Sequence, residues 1–281
     1  MFKIMKKSKF LSICGAAIFS AFLFVSCESE NEEILVDSSL DKDVLLKLQR
    51  AHFSTENARI IEFMGEKGVA VEDMFLTFDQ INELSQNVVG PHEKQYRTTN
   101  LVTGLPRVIK VSVDPDLGTL GSDALDAMID MYNAENLQLT FERTTFGLKG
   151  KKKADIEVTE FYELESGGFI TLGRAAGFPN RKGNPAKGFG INSRWFELLN
   201  PSLAEVTGTM AHEVGHCIGF RHTDYMTRES CGQNVNEGNA GVGAIHIDGT
   251  PTVSDATSLM QACGPADRFN QNDITALNVL Y

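Results

Sequence analysis

Apolar and polar positions in the C-terminal two thirds of the chain alternate in short segments, which is typical of half-buried strands. An apolar i, i+3, i+4, i+7 spacing at Leu125, Met128, Ile129 and Tyr132 predicts a helix, with Ser122 as its N-cap. Strands and helices that alternate in this way indicate a mixed α/β fold. The predicted strands lie at residues 107–113, 137–142, 154–161, 169–176 and 189–196.

A second amphipathic helix follows these strands. Asn200 and Pro201 precede it, and Ser202 with Glu205 forms a capping-box pattern. Its apolar face carries Leu203, Val206, Met210 and Val214. His212 and His216 lie on roughly the opposite face, so the pattern predicts a helix that packs on a sheet and turns its histidines toward a cleft.

Residues 41–95 have a weaker pattern, which predicts a small module of their own. Val44, Leu45 and Leu48 indicate a short helix, residues 69–78 indicate a strand, and Thr77 with Gln80 forms a capping box for another helix. So short a segment buries too little apolar surface to be stable alone, so we expect it to dock on the domain that follows. It is either an inhibitory propeptide or a plain packing module, and the pattern does not decide which.

The N-terminus has the pattern of an export signal. Four lysines precede an apolar run that ends before Cys27, so residues 1–26 are predicted to be a signal peptide. A small residue followed by cysteine resembles a bacterial lipobox, which makes Cys27 the predicted lipidation site. Residues 27–40 then form an acidic tether of low hydrophobicity. Ordinary cleavage near Ser26, which gives a secreted protein, is the alternative.

The charge of the chain limits its partners. The formal net charge is -11, and loss of the four lysines with the signal peptide makes it more negative. A strongly acidic surface opposes binding to nucleic acid, so we expect none. The expected partners are a protein or peptide substrate and, through the lipid on Cys27, a membrane. The expected location is the outer membrane or surface of a bacterial cell.

The chemistry of the chain is concentrated in the motif H-E-x-x-H-x-x-G-x-x-H at residues 212–222. His212 and His216 are one helical turn apart, so both imidazoles reach one metal ion. Gly219 permits a left-handed turn that ends the helix and brings His222 back as a third ligand. Three protein ligands leave a tetrahedral zinc ion one open position, as in a catalytic site.

Glu213 lies beside this metal site, where it can act as general base and acid. The motif therefore predicts a zinc metalloendopeptidase that hydrolyses extracellular or envelope proteins with one catalytic zinc ion, a bound water and Glu213. The alternative is a non-catalytic surface lipoprotein that uses the fold as an adhesin or binding module. An intact ligand set and an intact Glu213 argue against this alternative.

The three histidines and the glycine between the second and third resemble those of the metzincin metallopeptidases. Residues 212–224 and 245–251 are most similar to the bacterial dual-action HEIGH metallopeptidases, and the resemblance covers roughly residues 95–281. It implies a catalytic domain at residues 96–281 with a twisted mixed five-stranded sheet, an active-site helix, a Met-turn and a C-terminal helix. It also implies that the strand around residues 171–176 is the sheet edge that pairs with substrate.

The same resemblance assigns roles around the zinc ion. Met260 is the methionine of the Met-turn below the metal, Gly219 shapes the turn, and Asp224 is a candidate to orient His222. Cys231 and Cys263 bracket the Met-turn loop and are a candidate disulfide, because an exported protein can form one. A structural calcium ion is compatible with such a domain, although no pattern here indicates one.

The resemblance also bears on the module at residues 41–95. No cysteine lies between Cys27 and Cys217, which excludes a propeptide that blocks the zinc with a thiolate. An acidic residue such as Glu72 or Asp73 could take that place, and the sequence does not choose between them.

Overall fold

The computed structural model describes residues 2–3, 40–51, 53, 55, 57–84, 95–237, 242–251, 254–264 and 266–281. Cys27 and almost all of the predicted signal peptide and tether lie outside the described residues. In the part of the chain that is described, no helix has both the length and the apolar character needed to cross a membrane.

The helices of the described residues alternate with strands along most of the chain. The α-helices are α1 (Lys42–Arg50), α2 (Phe78–Glu83), α3 (Gly118–Asn133), α4 (Ser193–Leu199), α5 (Leu203–Ile218) and α6 (Gln271–Leu280). The strands of the N-terminal part are β1 (Phe2–Lys3), β2 (Arg59–Phe63), β3 (Glu66–Val71), β4 (Met74–Thr77) and β5 (Tyr96–Arg97). The remaining strands are β6 (Arg107–Val113), β7 (Leu139–Arg143), β8 (Ile156–Phe161), β9 (Phe169–Ile170), β10 (Gly173–Ala175), β11 (Gly188–Asn192) and β12 (Ile245–His246).

One mixed sheet of eight strands runs through the molecule in the order β2-β3-β4-β10-β11-β8-β6-β7. β6, β7, β8 and β11 run parallel, and β10 is antiparallel to β11. The predicted mixed α/β class is confirmed, but the sheet has eight strands rather than five. The reason is that β4 pairs in parallel with β10 and so adds the three strands of the N-terminal module. Two small pairs, β1 with β9 and β5 with β12, lie outside this sheet.

Several predicted strand boundaries were wrong at turns. The strand predicted at residues 69–78 is two strands, because the chain reverses at Glu72 and Asp73 between β3 and β4. The strand predicted at residues 169–176 is interrupted between β9 and β10. The strand predicted at residues 189–196 ends at Asn192, whose side chain caps α4 by accepting a hydrogen bond from the Arg194 N–H.

The two long helices pack together on the sheet. The capping box of Ser202 and Glu205 precedes α5 as expected. The predicted Ser122 cap is wrong, because α3 begins four residues earlier, at Gly118, directly after a short turn of 3-10 helix. Tyr132 of α3 donates a hydrogen bond to the Ala211 carbonyl of α5 at 2.9 Å, which fixes one helix against the other.

The N-terminal module is joined to the rest of the chain by two apolar clusters. Leu48, Val71 and Ile81 belong to the same buried core as the residues of α3 and α5. A second apolar cluster also contains residues of both the module and the rest of the chain. Its buried members are Ile61, Phe63, Ala70, Phe75, Phe161 and Ala176. The expected docking of this module is therefore visible in its packing.

Phe75 offers a test of this packing, because its ring is fully buried and lies 5.3 Å from the ring of Phe63. We expect Phe75→Ala to lower the free energy of unfolding by about 3–5 kcal/mol, since it leaves a cavity in this second cluster, where the module meets the rest of the chain. Denaturation with urea measures this. Leu46→Ala is the control, because Leu46 is 47% exposed and its loss should cost less than about 0.5 kcal/mol. Equal effects of the two changes would contradict this account of the interface.

Candidate metal centre

Three histidine side chains converge at the end of α5. The Nε2 atom of His216 lies 3.1 Å from that of His212 and 3.2 Å from that of His222. His212 and His216 lie on the same face of α5, and the helix ends at Gly219, whose φ of 117° is in the left-handed region. This turn returns His222 to the other two histidines, and all three side chains are buried.

Hydrogen bonds at the other ring nitrogen fix the tautomer of each histidine. The Nδ1–H of His212 donates to the Leu259 carbonyl at 2.8 Å, and that of His216 donates to the Phe220 carbonyl at 2.9 Å. The Nδ1–H of His222 donates to the Glu237 carboxylate at 2.8 Å. Because these partners accept, the protons are on Nδ1 and the three Nε2 lone pairs face one another.

The spacing of these nitrogens fits zinc. A tetrahedral zinc ion about 2.0–2.1 Å from each nitrogen separates its ligands by about 3.3–3.4 Å. The observed Nε2 separations of 3.1 and 3.2 Å are close to this value. Neutral imidazoles with converging lone pairs are unfavourable without a cation between them, so the donor set fits the zinc ion of a metallopeptidase.

A fourth donor comes from the N-terminal module. The Asp73 Oδ2 atom lies 2.7 Å from the Nε2 atom of His222, and 3.7 and 3.8 Å from those of His212 and His216. These four atoms lie within 4.8 Å of one another, as expected for the ligands of one metal ion. Asp73 is therefore a possible fourth ligand beside the three histidines that the sequence predicted. Between the two acids considered, the structure places Asp73 at the metal site.

Glu213 lies next to the histidines, on the side of β10. A Cβ atom on Gly173 of β10 would lie 2.5 Å from the Glu213 Oε1 atom, so glycine is required there for the carboxylate to fit. Burial, followed by the negative charge of Asp73, raises the pKa of the Glu213 carboxyl well above its usual range. A buried carboxyl group with a raised pKa is suited to accept and return a proton.

Met260 packs against the same helix. A Cβ atom on Gly215 would lie 2.5 Å from the Met260 Sδ atom, so the small residue in the middle of the motif makes room for the methionine. The Met260 carbonyl accepts a hydrogen bond from the Thr223 N–H at 2.7 Å. This bond joins the methionine loop to the segment that follows His222.

Asp224 does not orient His222; it holds the methionine loop instead. Its Oδ1 atom accepts from the Ala262 N–H at 2.9 Å, and its Oδ2 atom accepts from the Ser230 hydroxyl at 2.6 Å. Cys231 and Cys263 form a disulfide in the same region, and Cys217 is a buried free thiol. Asp224 and the disulfide therefore connect the chain after His222 to the loop of Met260.

Glu237 is the residue that orients His222, and the sequence did not indicate it. It lies fifteen residues after the third histidine, in a stretch without periodicity. Besides accepting from His222, its carboxylate is paired with Arg228 and, at 3.3 Å, with Arg221. Burial raises the pKa of Glu237, but its interactions with the His222 ring and the Arg228 guanidinium outweigh burial and lower the pKa to about 2. Glu237 is therefore ionised at neutral pH.

Asp273 of α6 holds the methionine loop from the other side. Its carboxylate accepts hydrogen bonds from the Ser258 hydroxyl at 2.6 Å and from the Leu259 N–H at 2.9 Å. Leu259 is also the residue whose carbonyl accepts from His212. The C-terminal helix thereby fixes the acceptor that sets the orientation of the first histidine.

Comparison with known proteins identifies a family. Residues 69–281 match the model of the family described as "Dual-action HEIGH metallo-peptidase". Among curated proteins, none matches significantly. One solved structure, of myroilysin, is similar at 12% sequence identity with a TM-score of 0.41, over 65% of this chain and 96% of that one. A hatching-enzyme zinc protease of Oryzias latipes (Medaka fish), HCE-1, is similar at 13% identity with a TM-score of 0.36, over 62% and 88% of the two chains.

Glu237→Gln tests the orientation of the third histidine. An amide is a weaker acceptor than a carboxylate and leaves Arg228 with less charge compensation, so we expect the dissociation constant of zinc to rise about 10–100-fold. Competition with a chelating dye measures this constant. Glu142→Gln is the control, because Glu142 is exposed on β7 and should leave zinc binding unchanged. Unchanged zinc affinity in Glu237→Gln would show that Glu237 does not support the site.

Proposed function

Because the chain belongs to the dual-action HEIGH metallopeptidase family, we propose that it is an exported endopeptidase in which Glu213 activates the attacking water. The observation that carries this proposal is the convergence of three Nε2 lone pairs beside the buried Glu213 carboxyl group. Membership of this family makes the chain a zinc metallopeptidase. The role of Glu213, the substrate and the location are the steps that we add.

In the proposed reaction, one side chain acts first as a base and then as an acid. Zinc, when it is bound, acts as a Lewis acid and lowers the pKa of a water ligand. Glu213 accepts the proton of the attacking water at its carboxylate and returns it to the leaving amine. One carboxyl group can perform both steps, because it holds the proton between them.

The proposed substrate is an extended peptide that pairs with β10. An added strand uses the backbone hydrogen-bonding groups of a sheet edge, so it is recognised mainly through its main chain. β10 passes directly beside Glu213, because Gly173 has no side chain to separate them. A peptide on β10 would therefore bring its carbonyl groups close to the general base and the zinc ligands.

The proposed location is outside the cytoplasm, on the bacterial cell envelope or secreted. The Cys231–Cys263 disulfide supports it, because disulfides persist in oxidising compartments. The signal-peptide pattern of residues 1–26 and the lipobox-like position of Cys27 support it independently. Lipidation of Cys27 would make the membrane a partner.

A non-catalytic binding module is the second candidate. One observation favours it: Asp73 completes a four-ligand set, and a closed set is typical of structural zinc sites. The presence of Glu213 favours the enzyme, because a structural site has no use for a buried general base next to its ligands.

Glu213→Ala separates these candidates. We expect it to lower the hydrolysis of casein by about 10²–10⁴-fold, because the attacking water loses its base, while zinc remains bound in stoichiometric amount. The assay compares the change in the native chain and in an Asp73→Ala background, in which the fourth position is free. Zinc is measured by mass spectrometry of the metal.

The matched control is Glu142→Ala, which removes an exposed acid without touching the site. Retained hydrolysis in Glu213→Ala would contradict the role of Glu213. Zinc-loaded chains that cleave nothing in either background would instead support the binding module.

A further inference from the structure

The segment after the turn at Gly219 is paired with β5. The Thr98 N–H donates to the Gly219 carbonyl at 2.8 Å, and the Arg221 N–H donates to the Tyr96 carbonyl at 2.8 Å. β5 in turn pairs with β12. The chain between the second and third histidines is therefore held in an extended conformation against β5.

One peptide group of this segment sets the acceptor of the second histidine. The Phe220 carbonyl and the Arg221 N–H belong to the same planar trans peptide, so they point in opposite directions. The carbonyl accepts the Nδ1–H of His216 at 2.9 Å, and the N–H donates to Tyr96 at 2.8 Å. The plane of this peptide is thus fixed from both sides, and with it the lone pair that orients His216.

The side chain of Arg221 reaches the acceptor of the third histidine. It is only 3% exposed, and its Nη2–H donates to the Glu237 Oε2 atom at 3.3 Å. The other carboxylate oxygen, Oε1, accepts the Nδ1–H of His222 at 2.8 Å. Because a carboxylate is planar, a donor at one oxygen limits its rotation and so fixes the lone pair that the other oxygen presents to His222.

The guanidinium group of Arg221 is itself held in place. Its Nη1–H donates to the Gly243 carbonyl at 3.1 Å, so its two terminal nitrogens bind two different segments. Its central carbon lies 5.9 Å from the ring centre of Phe178 and 5.5 Å from that of Tyr225. A cation is attracted to aromatic faces, and the planar fork of arginine allows these contacts and both hydrogen bonds together.

We propose that Arg221 is a positioning residue shared by two zinc ligands: its N–H fixes the acceptor of His216, and its guanidinium group fixes the acceptor of His222. Rotation of either ring would turn its Nε2 lone pair away from the common point, so the role of Arg221 is in zinc binding. The proposal rests on the metal centre and not on hydrolysis through Glu213, so the failure of either proposal leaves the other standing.

The first test is the dissociation constant of zinc, measured with a chelating dye in the full-length chain. We expect Arg221→Met to raise it about tenfold, because the Glu237 carboxylate can then turn away from His222. Arg174→Met is the matched control: Arg174 is another buried arginine, it is paired with Glu163, and its loss should leave the constant unchanged. An unchanged constant in folded Arg221→Met would overturn the proposal.

A double-mutant cycle tests whether the side chain of Arg221 acts through Glu237. In a Glu237→Gln background, Arg221→Met should raise the zinc dissociation constant by less than about twofold, because the carboxylate that it positions is already absent. An equal rise in the two backgrounds would show that Arg221 acts independently of Glu237, and would overturn its role at His222.

A third readout resolves the individual histidines. In the zinc-loaded chain with nitrogen-15-labelled histidine, the Nδ1–H signal that Glu237→Gln displaces is that of His222. Arg221→Met should displace the same signal and leave the other two in place, because the acceptors of His212 and His216 are main-chain carbonyls that this change retains. Displacement of all three signals would indicate a general loss of structure and overturn the positioning role.

Circular dichroism confirms that each variant is folded, and Arg221→Lys serves if the methionine variant is not. One ammonium group cannot bind Gly243 and Glu237 in the geometry of the native fork, so the His222 signal should again move. A native His222 signal together with a native zinc dissociation constant in Arg221→Lys would overturn the proposal, because the fork would then be dispensable.

Discussion

The structure depends on one constraint: three neutral imidazoles must present their Nε2 lone pairs to a single point inside the protein. Each imidazole achieves this only because its Nδ1–H has an acceptor, and each acceptor comes from a different segment. Leu259 belongs to the methionine loop, Phe220 follows the turn at Gly219, and Glu237 lies in the segment after the third histidine. The loops around α5 are therefore parts of the metal site, because each fixes one ring.

The second requirement is close approach, and two glycines permit it. Gly215 brings the Met260 side chain against the ligand helix, and Gly173 brings β10 against Glu213. A methyl group at either position would overlap with the functional side chain that packs there. The three histidines, Glu213 and Met260 are thus held in one compact arrangement, in which Asp224 and Asp273 fix the methionine loop from its two sides.

Sequence reasoning succeeded where the determinant is local. Ser202 and Glu205 place the start of α5, Gly219 places its end, and the histidine spacing follows from the helical period. It failed where the determinant is a contact distant in sequence. Glu237 meets His222 only through loop packing, and β4 joins β10 across about a hundred residues, so no periodicity could indicate either. The turn at Glu72 and Asp73 was read as continuous strand because Glu72 is not a typical turn former and adopts its positive φ within tertiary contacts.

The eight-stranded sheet connects the N-terminal module to the strand beside Glu213. A strand edge that binds an extended peptide exposes unpaired N–H and C=O groups, and such an edge also pairs with any other available strand. A segment of the same chain meets it at a high effective concentration, so β4 can cover β10 even through a single register pair. The Asp73 carboxylate at the tip of the hairpin then lies beside the three histidines. The hairpin of β3 and β4 therefore contacts both features that the proposed hydrolysis would use, the edge of β10 and the three histidines.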